Sequence, residues 1–359
     1  MYSSNFLQEL KDLENFRDIK IRSIHLDSRE VKEGGLFFAI KGHDKDGSDF
    51  ISSAISNGAS LVISDTYQKY SERVIYFEEL KKYIGIFASR FYNSPSSKIK
   101  SICVTGTNGK TTSVETFANM SNLLGYKSGF MSTINFSKDG LMLEKSDLTT
   151  PDAIKIHKNI KDSLESDSIY IALEASSHAL VQGRLDGIDI NDAVFTNLSR
   201  DHLDYHLDMA SYGEAKALLF KKSSVTVAVF NLDDAFSQTL MTATELDAEQ
   251  ITYSLDNPSA DIYCRDIQLD VQGVRAHVFS PWGEGALISP LIGQFILANL
   301  LSIIAIIGPR YPFSEVLSTL PLLQPPAGRM ELINAGAKPS VIVDSVSYTH
   351  LRAHETPEH

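Results

Sequence analysis

The stretch IKSICVTGTNGKTTSVETF (99–117) constrains the fold more than any other part of the chain. A mostly apolar run is followed by two glycines three residues apart, then by a lysine and a hydroxyl residue that open a helical pattern. Gly106 and Gly109 can turn the backbone so that successive N–H groups face inward at the start of a helix, which is how a phosphate is held. Lys110 places a point charge on the terminal phosphates, and the Thr111 hydroxyl is positioned to ligate Mg²⁺. The usual pattern, G-x-x-x-x-G-K-[ST], would need glycine at position 104, where Val104 stands. That position lies at the strand end, while the tight turn rests on Gly106, Asn108 and Gly109. A polar turn with no ligand is the alternative; the crowding of T-G-T-N-G-K-T-T behind an apolar run favours a phosphate loop.

Strand-like runs at 35–42, 60–64 and 73–77 alternate with helical patterns at 51–59 and 78–92, and NSPSSK (93–98) is rich in turn formers. Residues 1–97 therefore read as one α/β unit. The N-terminal stretch MYSSNFLQELKDLENF has helical spacing and no signal-peptide core. From 98 to 327 strands at 99–104, 169–174, 192–197 and 225–231 alternate with helices, which predicts a mostly parallel, helix-covered sheet. Within it, 260–290 reads as shorter, Gly- and Pro-punctuated strands, and 293–307 as a buried helix. PSVIVD (339–344) reads as a strand entering a further unit, 328–345, before the chemistry changes abruptly.

At 359 residues the chain has room for about two to three domains. Its net charge of −12 argues against nonspecific attraction to nucleic acid or anionic membrane, although a small nucleotide site needs only local positive groups. Two cysteines, Cys103 and Cys264, suggest neither a disulfide framework nor a zinc site. The apolar stretch 292–307 is too short and too polar to span a bilayer. A cytoplasmic, monomeric protein acting on small molecules is expected.

Three further motifs carry chemistry: EASSH (174–178), NLSRDHLDYH (197–206) and SYGEAK (211–216). Glu174 and His202 are an oxygen and an imidazole ligand at strand ends, able to hold a second divalent cation; taken singly, each is an ordinary satisfied polar residue. Lys216, inside the apolar helical face AKALLF, reads alone as a snorkelling surface lysine.

GTNGKTT, together with these motifs, resembles the ATP loop and central domain of the Mur ligases, the ATP-dependent amide-forming enzymes of bacterial cell-wall precursor synthesis. The resemblance runs from about residue 22 to 344. Through LDSR (26–29), GGLFFAIKGHDKDG (34–47), RFYNSP (90–95), LTTPD (148–152) and GRME (328–331), it points to the branch that adds a third amino acid to UDP-N-acetylmuramoyl-L-alanyl-D-glutamate. It implies an N-terminal α/β domain for the precursor, a central ATPase domain of phosphate-loop type, and a C-terminal Rossmann-like domain that is missing here.

Residue by residue, the resemblance assigns Gly106 to Thr112 (Gly106, Thr107, Asn108, Gly109, Lys110, Thr111 and Thr112), Asn299 and Arg329 to ATP. It assigns Leu26, Ser28, His43, Asp44 and Lys45 to the uridine-diphosphate end. Thr149, Thr150, Ser176, Gln182 and Arg184 are assigned to the muramoyl-dipeptide end. Lys110, Lys216 and His202 would be catalytic. Thr111, Glu174, His202 and Lys216, the last carbamylated by CO₂ to N6-carboxylysine, would hold Mg²⁺. Ile296 and Leu148 depart from the family, standing where asparagine is common.

The implied reaction phosphorylates the D-glutamate γ-carboxylate, and the amine of meso-diaminopimelate then attacks the acyl phosphate; L-lysine is the alternative amine. The D-Ala-D-Ala-adding ligases and folylpolyglutamate synthetases would share the glycine loop. VSYTHLRAHET (346–356) resembles the translation of a transposase adapter used in preparing DNA sequencing libraries, so 346–359 is expected to be non-native and the chain unable to complete ligation. Were that tail native, a noncatalytic UDP-sugar-binding protein would be the alternative. His350 and His354 also stand at i, i+4 with Glu355 beside them, but no third ligand is evident.

Overall fold

A computed structural model describes all residues except 11–15, 17, 43–44, 68–72, 133–134, 139–140, 146–149, 244–246, 327–330, 334–340 and 344–359. The adapter-like tail and His350, His354 and Glu355 therefore lie outside the described residues, as do His43, Asp44, Leu148, Thr149 and Arg329.

The first unit is a four-stranded parallel sheet in the order β1 (Ser23–His25), β2 (Gly35–Ala39), β3 (Ala59–Ser64), β4 (Val74–Tyr76). Every residue of β2 is buried, which is why GLFFA is a continuous apolar run and not an alternating one. Helix α1 (Ile51–Ser56) covers one face through Ile51 and Ala54, packed with Phe37 and Val62. Helix α2 (Leu80–Phe91) covers the other through Leu80, Ile84 and Phe87, packed with Leu36, Phe38 and Ile63. Among the described residues near the N-terminus, the helical spacing yields 3-10 structure and no α-helix, including the turn Ser3–Asn5. There Ser3 N–H donates to the Ile19 carbonyl and Ile21 N–H to that of Met1, so the backbone is pinned to 19–21 while Phe6 and Leu7 are fully buried.

The second unit begins after a 3-10 turn at Pro95–Lys98. It runs β5 (Lys100–Thr105), α3 (Lys110–Leu123), β6 (Ser128–Met131), β7 (Asn135–Lys138), β8 (Leu141–Lys145), α4 (Ala153–Leu164) and β9 (Tyr170–Glu174). It continues through α5 (Ser177–Val181), β10 (Asp192–Phe195), α6 (Leu203–His206), α7 (Met209–Ala217), β11 (Val227–Asn231), α8 (Phe236–Ala243) and β12 (Glu249–Tyr253). The sheet order is β12-β11-β10-β5-β9-β6-β7-β8, parallel except where β7 and β8 fold back. Along β5, Ile102 and Val104 enter one core and Cys103 the other, the period-2 alternation of a strand covered on both sides.

An antiparallel sheet follows: β13 (Tyr263–Asp270), β14 (Gly273–Ser280) and β15 (Gly283–Ser289). At eight, eight and seven residues these strands are not shorter than their neighbours, contrary to the sequence reading. The glycines sit at the hairpin corners, Gly273 at φ +129° and Gly283 at φ +146°, and do not interrupt the strands. Helix α9 (Gln294–Ile307) is buried as expected and shares a core with Val274, Val278 and Leu287, before α10 (Phe313–Thr319). Val341–Val343 forms a strand, paired antiparallel with Glu331–Ile333. Among the described residues no helix is long and apolar enough to cross a membrane.

The two units meet where α2 passes the 186–187 turn. A Cβ on Gly85 would lie 2.3 Å from the Asp186 carbonyl oxygen, and Gly187 is itself at φ +76°. Asp186 is held from below: the fully buried His157 ring donates to its carbonyl at 3.0 Å, and Lys222 pairs with its carboxylate at 2.9 Å. Gly85→Ala is expected to destabilise the fold by about 1–3 kcal/mol through overpacking, read as a lower urea midpoint. His157 yields a pH dependence. Burial lowers its pKa to about 4 from 6.5, so between those values the unfolded chain binds the extra proton and stability falls as pH falls. A loss of about 3 kcal/mol is expected between pH 7 and 4. His157→Gln should flatten that part of the urea-midpoint profile; an unchanged slope would assign it elsewhere.

Candidate active site

Strands β10, β5 and β9 are neighbours, and the loops after all three emerge at one edge of the sheet. Val104 pairs with both Glu174 and Val194, so the glycine loop, the Ala175–Ser177 turn and the 196–202 loop leave at one level. The strand order reverses here, and this is the crevice in which open α/β sheets bind ligands. Val104 is fully buried in the sheet core, so its side chain packs within the strand and takes no part in the turn.

Gly106 adopts φ +153°, and a Cβ there would meet Thr196 Oγ1 at 1.9 Å. Thr196 uses that position to donate to the Asn108 carbonyl at 2.6 Å. Thr107 N–H donates to the Asn197 carbonyl at 2.8 Å, and Asn108 N–H to Asn197 Oδ1 at 2.9 Å. With those two amides held by Asn197, anion binding would fall to the turn that opens α3, Gly109 to Thr112. Lys110 folds across the loop, its Nζ donating to the carbonyls of Gly106 (2.9 Å) and Thr107 (2.7 Å). Asn299 projects from α9 against Gly109, where an added Cβ would lie 2.4 Å from its Oδ1. Ile296, one turn earlier, is buried in the core.

A chamber of 210 Å³ lies beside the loop. Its lining includes Lys110, His202, Tyr212 and Lys216 together with Thr150, Ser176 and Arg184. Thr150 Oγ1 is 3.0 Å from both the Glu174 carbonyl and Ser176 Oγ. Arg184 donates to the Thr150 carbonyl at 2.6 Å and twice to Gln182 Oε1, at 2.9 and 2.6 Å. Glu174, at the end of β9, and Thr111, at the start of α3, are both buried.

Lys216 is not a snorkelling surface residue. It is 1% exposed, with its Nζ 4.2 Å above the Tyr212 ring. Among the described residues no carboxylate lies within ion-pair distance of it. Burial, and then the nearby Lys110 charge, hold its pKa well below that of an ordinary lysine, with Asp201 opposing. Its amine is thus biased toward the neutral, nucleophilic form that carbamylation by CO₂ requires. Among the described residues no three His, Cys, Asp or Glu side chains form a metal site by themselves. A cation here would need added anionic oxygens, such as a carbamate on Lys216 and nucleotide phosphates, so the donor set fits the expected group.

Arg184 also lines a second, larger cavity of 750 Å³ between the two units. The first unit contributes Leu26, Ile40, Lys41 and Lys81, and the second Asp152, Gln182 and Tyr205. Ser28 is buried, and Lys45 is exposed on the turn whose Gly42 lines the cleft. His178, Tyr205 and Tyr212 were not singled out from sequence, although each lies inside a quoted motif. Burial, followed by the charges of His202, His206 and Arg184, lowers the His178 pKa to about 4, so its ring is neutral near pH 7. Lys216→Met keeps the length and removes the buried amine. In bicarbonate-free buffer it is expected to raise stability by about 1–3 kcal/mol, seen as a higher urea midpoint.

Two domain descriptions match the chain: Mur ligase family, catalytic domain, over residues 20–92, and Mur ligase middle domain over residues 104–307. The UDP-N-acetylmuramoyl-L-alanyl-D-glutamate--2,6-diaminopimelate ligase of Ectopseudomonas mendocina is 41% identical over 338 residues, which is 92% of this chain and 68% of the relative. A solved structure of a ligase with the same name superposes with a TM-score of 0.83 at 31% identity, covering 94% of this chain and 69% of that one. The MurF ligase from Thermotoga maritima in complex with ADP shares the fold at 19% identity and a TM-score of 0.61, covering 88% of this chain and 69% of that one. The chain thus spans about two thirds of the length of these proteins, and it belongs to the Mur ligase family.

Proposed function

We propose that this chain is an ATP-dependent carbon–nitrogen ligase of peptidoglycan precursor synthesis. Its reaction joins 2,6-diaminopimelate to the D-glutamate γ-carboxylate of UDP-N-acetylmuramoyl-L-alanyl-D-glutamate. The division 1–97 for the precursor, 98–327 for ATP and 328–345 for the start of a further unit follows from this reading, as does action in the cytoplasm as a monomer. The observation that carries it is the 210 Å³ chamber, whose lining brings Lys110 and Lys216 together with Thr150, Ser176 and Arg184.

The chemistry asks two anions, a carboxylate and a triphosphate terminus, to approach within bonding distance. Unit charges 4 Å apart repel by about 4 kcal/mol at an effective dielectric of 20. Lys110 and Arg184, positive groups fixed in the chamber lining, offset that repulsion without reorganising during reaction. In this reading the Gly109–Thr112 turn and Lys110 hold the phosphates, and Asn299 reads the base. Arg184, Thr150 and Ser176 orient the carboxylate so that its oxygen attacks the terminal phosphorus as the bridging oxygen leaves with ADP. The neutral amine of the diamino acid then attacks the acyl carbon, phosphate leaves, and the ammonium proton is lost to solvent. Thr111, Glu174, His202 and a carbamylated Lys216 would hold Mg²⁺, which would neutralise phosphate charge. Leu26, Ser28 and Lys45 would face the uridine diphosphate.

Calorimetry with ADP·Mg²⁺ and with the UDP-dipeptide precursor tests this on the chain itself. Lys110→Ala should weaken ADP by at least ~10-fold, about 1.4 kcal/mol, and leave the precursor within ~2-fold. Arg184→Ala should do the reverse. Failure of the unsubstituted chain to bind either ligand would reject the reading.

A further inference from the structure

Tyr205 is 41% exposed and lines the 750 Å³ cleft. Its ring lies 4.1 Å from that of His178, at an interplanar angle of 40°, and His178 lines the 210 Å³ chamber. The two rings therefore form a wall with one face toward each cavity. The wall is held from several sides. Gln182 Nε2 donates to Tyr205 Oη at 3.5 Å, and Gln182 is itself fixed by Arg184 at 2.6 and 2.9 Å. His178 stands edge-on to His202 (5.1 Å) and close to His206 (5.5 Å), whose Nε2 is 2.9 Å from Ser177 Oγ. A large aromatic surface is thus kept facing the cleft with little rotamer freedom left to lose on binding.

The cleft lining offers two chemistries. Lys41, Lys81 and Lys82 on the first unit suit a diphosphate, and the Arg184–Gln182 pair suits carboxylate and amide oxygens. Between those two chemistries a sugar-linked precursor carries its pyranose. One face of such a ring is a patch of C–H bonds, with its polar groups at the rim, and the electron-rich face of an aromatic attracts that patch. Among the described residues that line the cleft, Tyr205 supplies the aromatic ring, and the half-exposed Val181 adds apolar surface. Resting on the function proposed above, we infer that Tyr205 is the platform on which the N-acetylmuramoyl ring packs. His178 acts as the positioning residue that holds the platform in place.

Calorimetry on the full chain with two probes, UDP and UDP-N-acetylmuramoyl-L-alanyl-D-glutamate, separates the possibilities. Tyr205→Ala should weaken the precursor ~10-fold and leave UDP within ~2-fold, while Tyr205→Phe stays within ~3-fold of the unsubstituted chain for both. Tyr205→Leu, which keeps bulk but lacks the ring, should resemble Tyr205→Ala and serves if the alanine variant unfolds. His178→Ala should weaken the precursor by a smaller factor, again sparing UDP. Equal losses for UDP and precursor in Tyr205→Leu, or no loss for either, overturn the platform. If the unsubstituted chain binds neither probe, the reading of the cleft fails and takes this inference with it. If it binds UDP as tightly as the precursor, only the platform fails.

Discussion

The site depends on one hydroxyl standing where a Cβ would otherwise be. Thr196 reaches from the end of β10 into the space beside Gly106 and donates to the Asn108 carbonyl, so the glycine loop is clamped to the loop after the neighbouring strand. Asn197 completes the clamp with two further bonds to the loop. A phosphate loop gains from being rigid before its ligand arrives, because ordering several residues on binding would cost about 1–2 kcal/mol each. Here the order is supplied by the adjacent strand, and parallel pairing of β5 with β10 sets the height at which the two loops meet.

The same sheet explains what was legible in the sequence. The strand–loop–helix grammar of 99–123 is local, and so are the runs that became β9, β10 and β11. Val104 was readable as a strand residue because the turn lies two residues further on. The burial of Lys216 was not readable from the residues alone, since nothing in AKALLF distinguishes a lysine that snorkels from one sealed against Tyr212. That depends on where α7 packs, a long-range matter. The 260–290 region misled because glycine was taken as interrupting strands, when Gly273 and Gly283 turn the corners between long ones. The interdomain cleft was invisible for the same reason as Lys216. Lys41 and Lys81 of the first unit face Tyr205 of the second across a cleft that depends on the packing of α2 on the 186–187 turn.

Charge is distributed against the average. The chain carries −12 overall, yet Lys110, Lys216 and Arg184 converge on one small chamber. Burying cations is unfavourable, and the pKa values of Lys216 and Arg184, both lowered first by burial, register that cost. The burial that makes these groups uncomfortable also lessens screening by salt, so anions entering the chamber meet a stronger field than at an open surface.

Arg184 touches both cavities with a single planar group, anchored through Nη1 to Thr150 and through Nε and Nη2 to Gln182. A guanidinium cannot rotate for one neighbour without presenting a different edge to the other. Occupants of the cleft and of the chamber therefore face one shared guanidinium, and any coupling that it carries between them is reciprocal, each ligand shifting the other's affinity by the same factor.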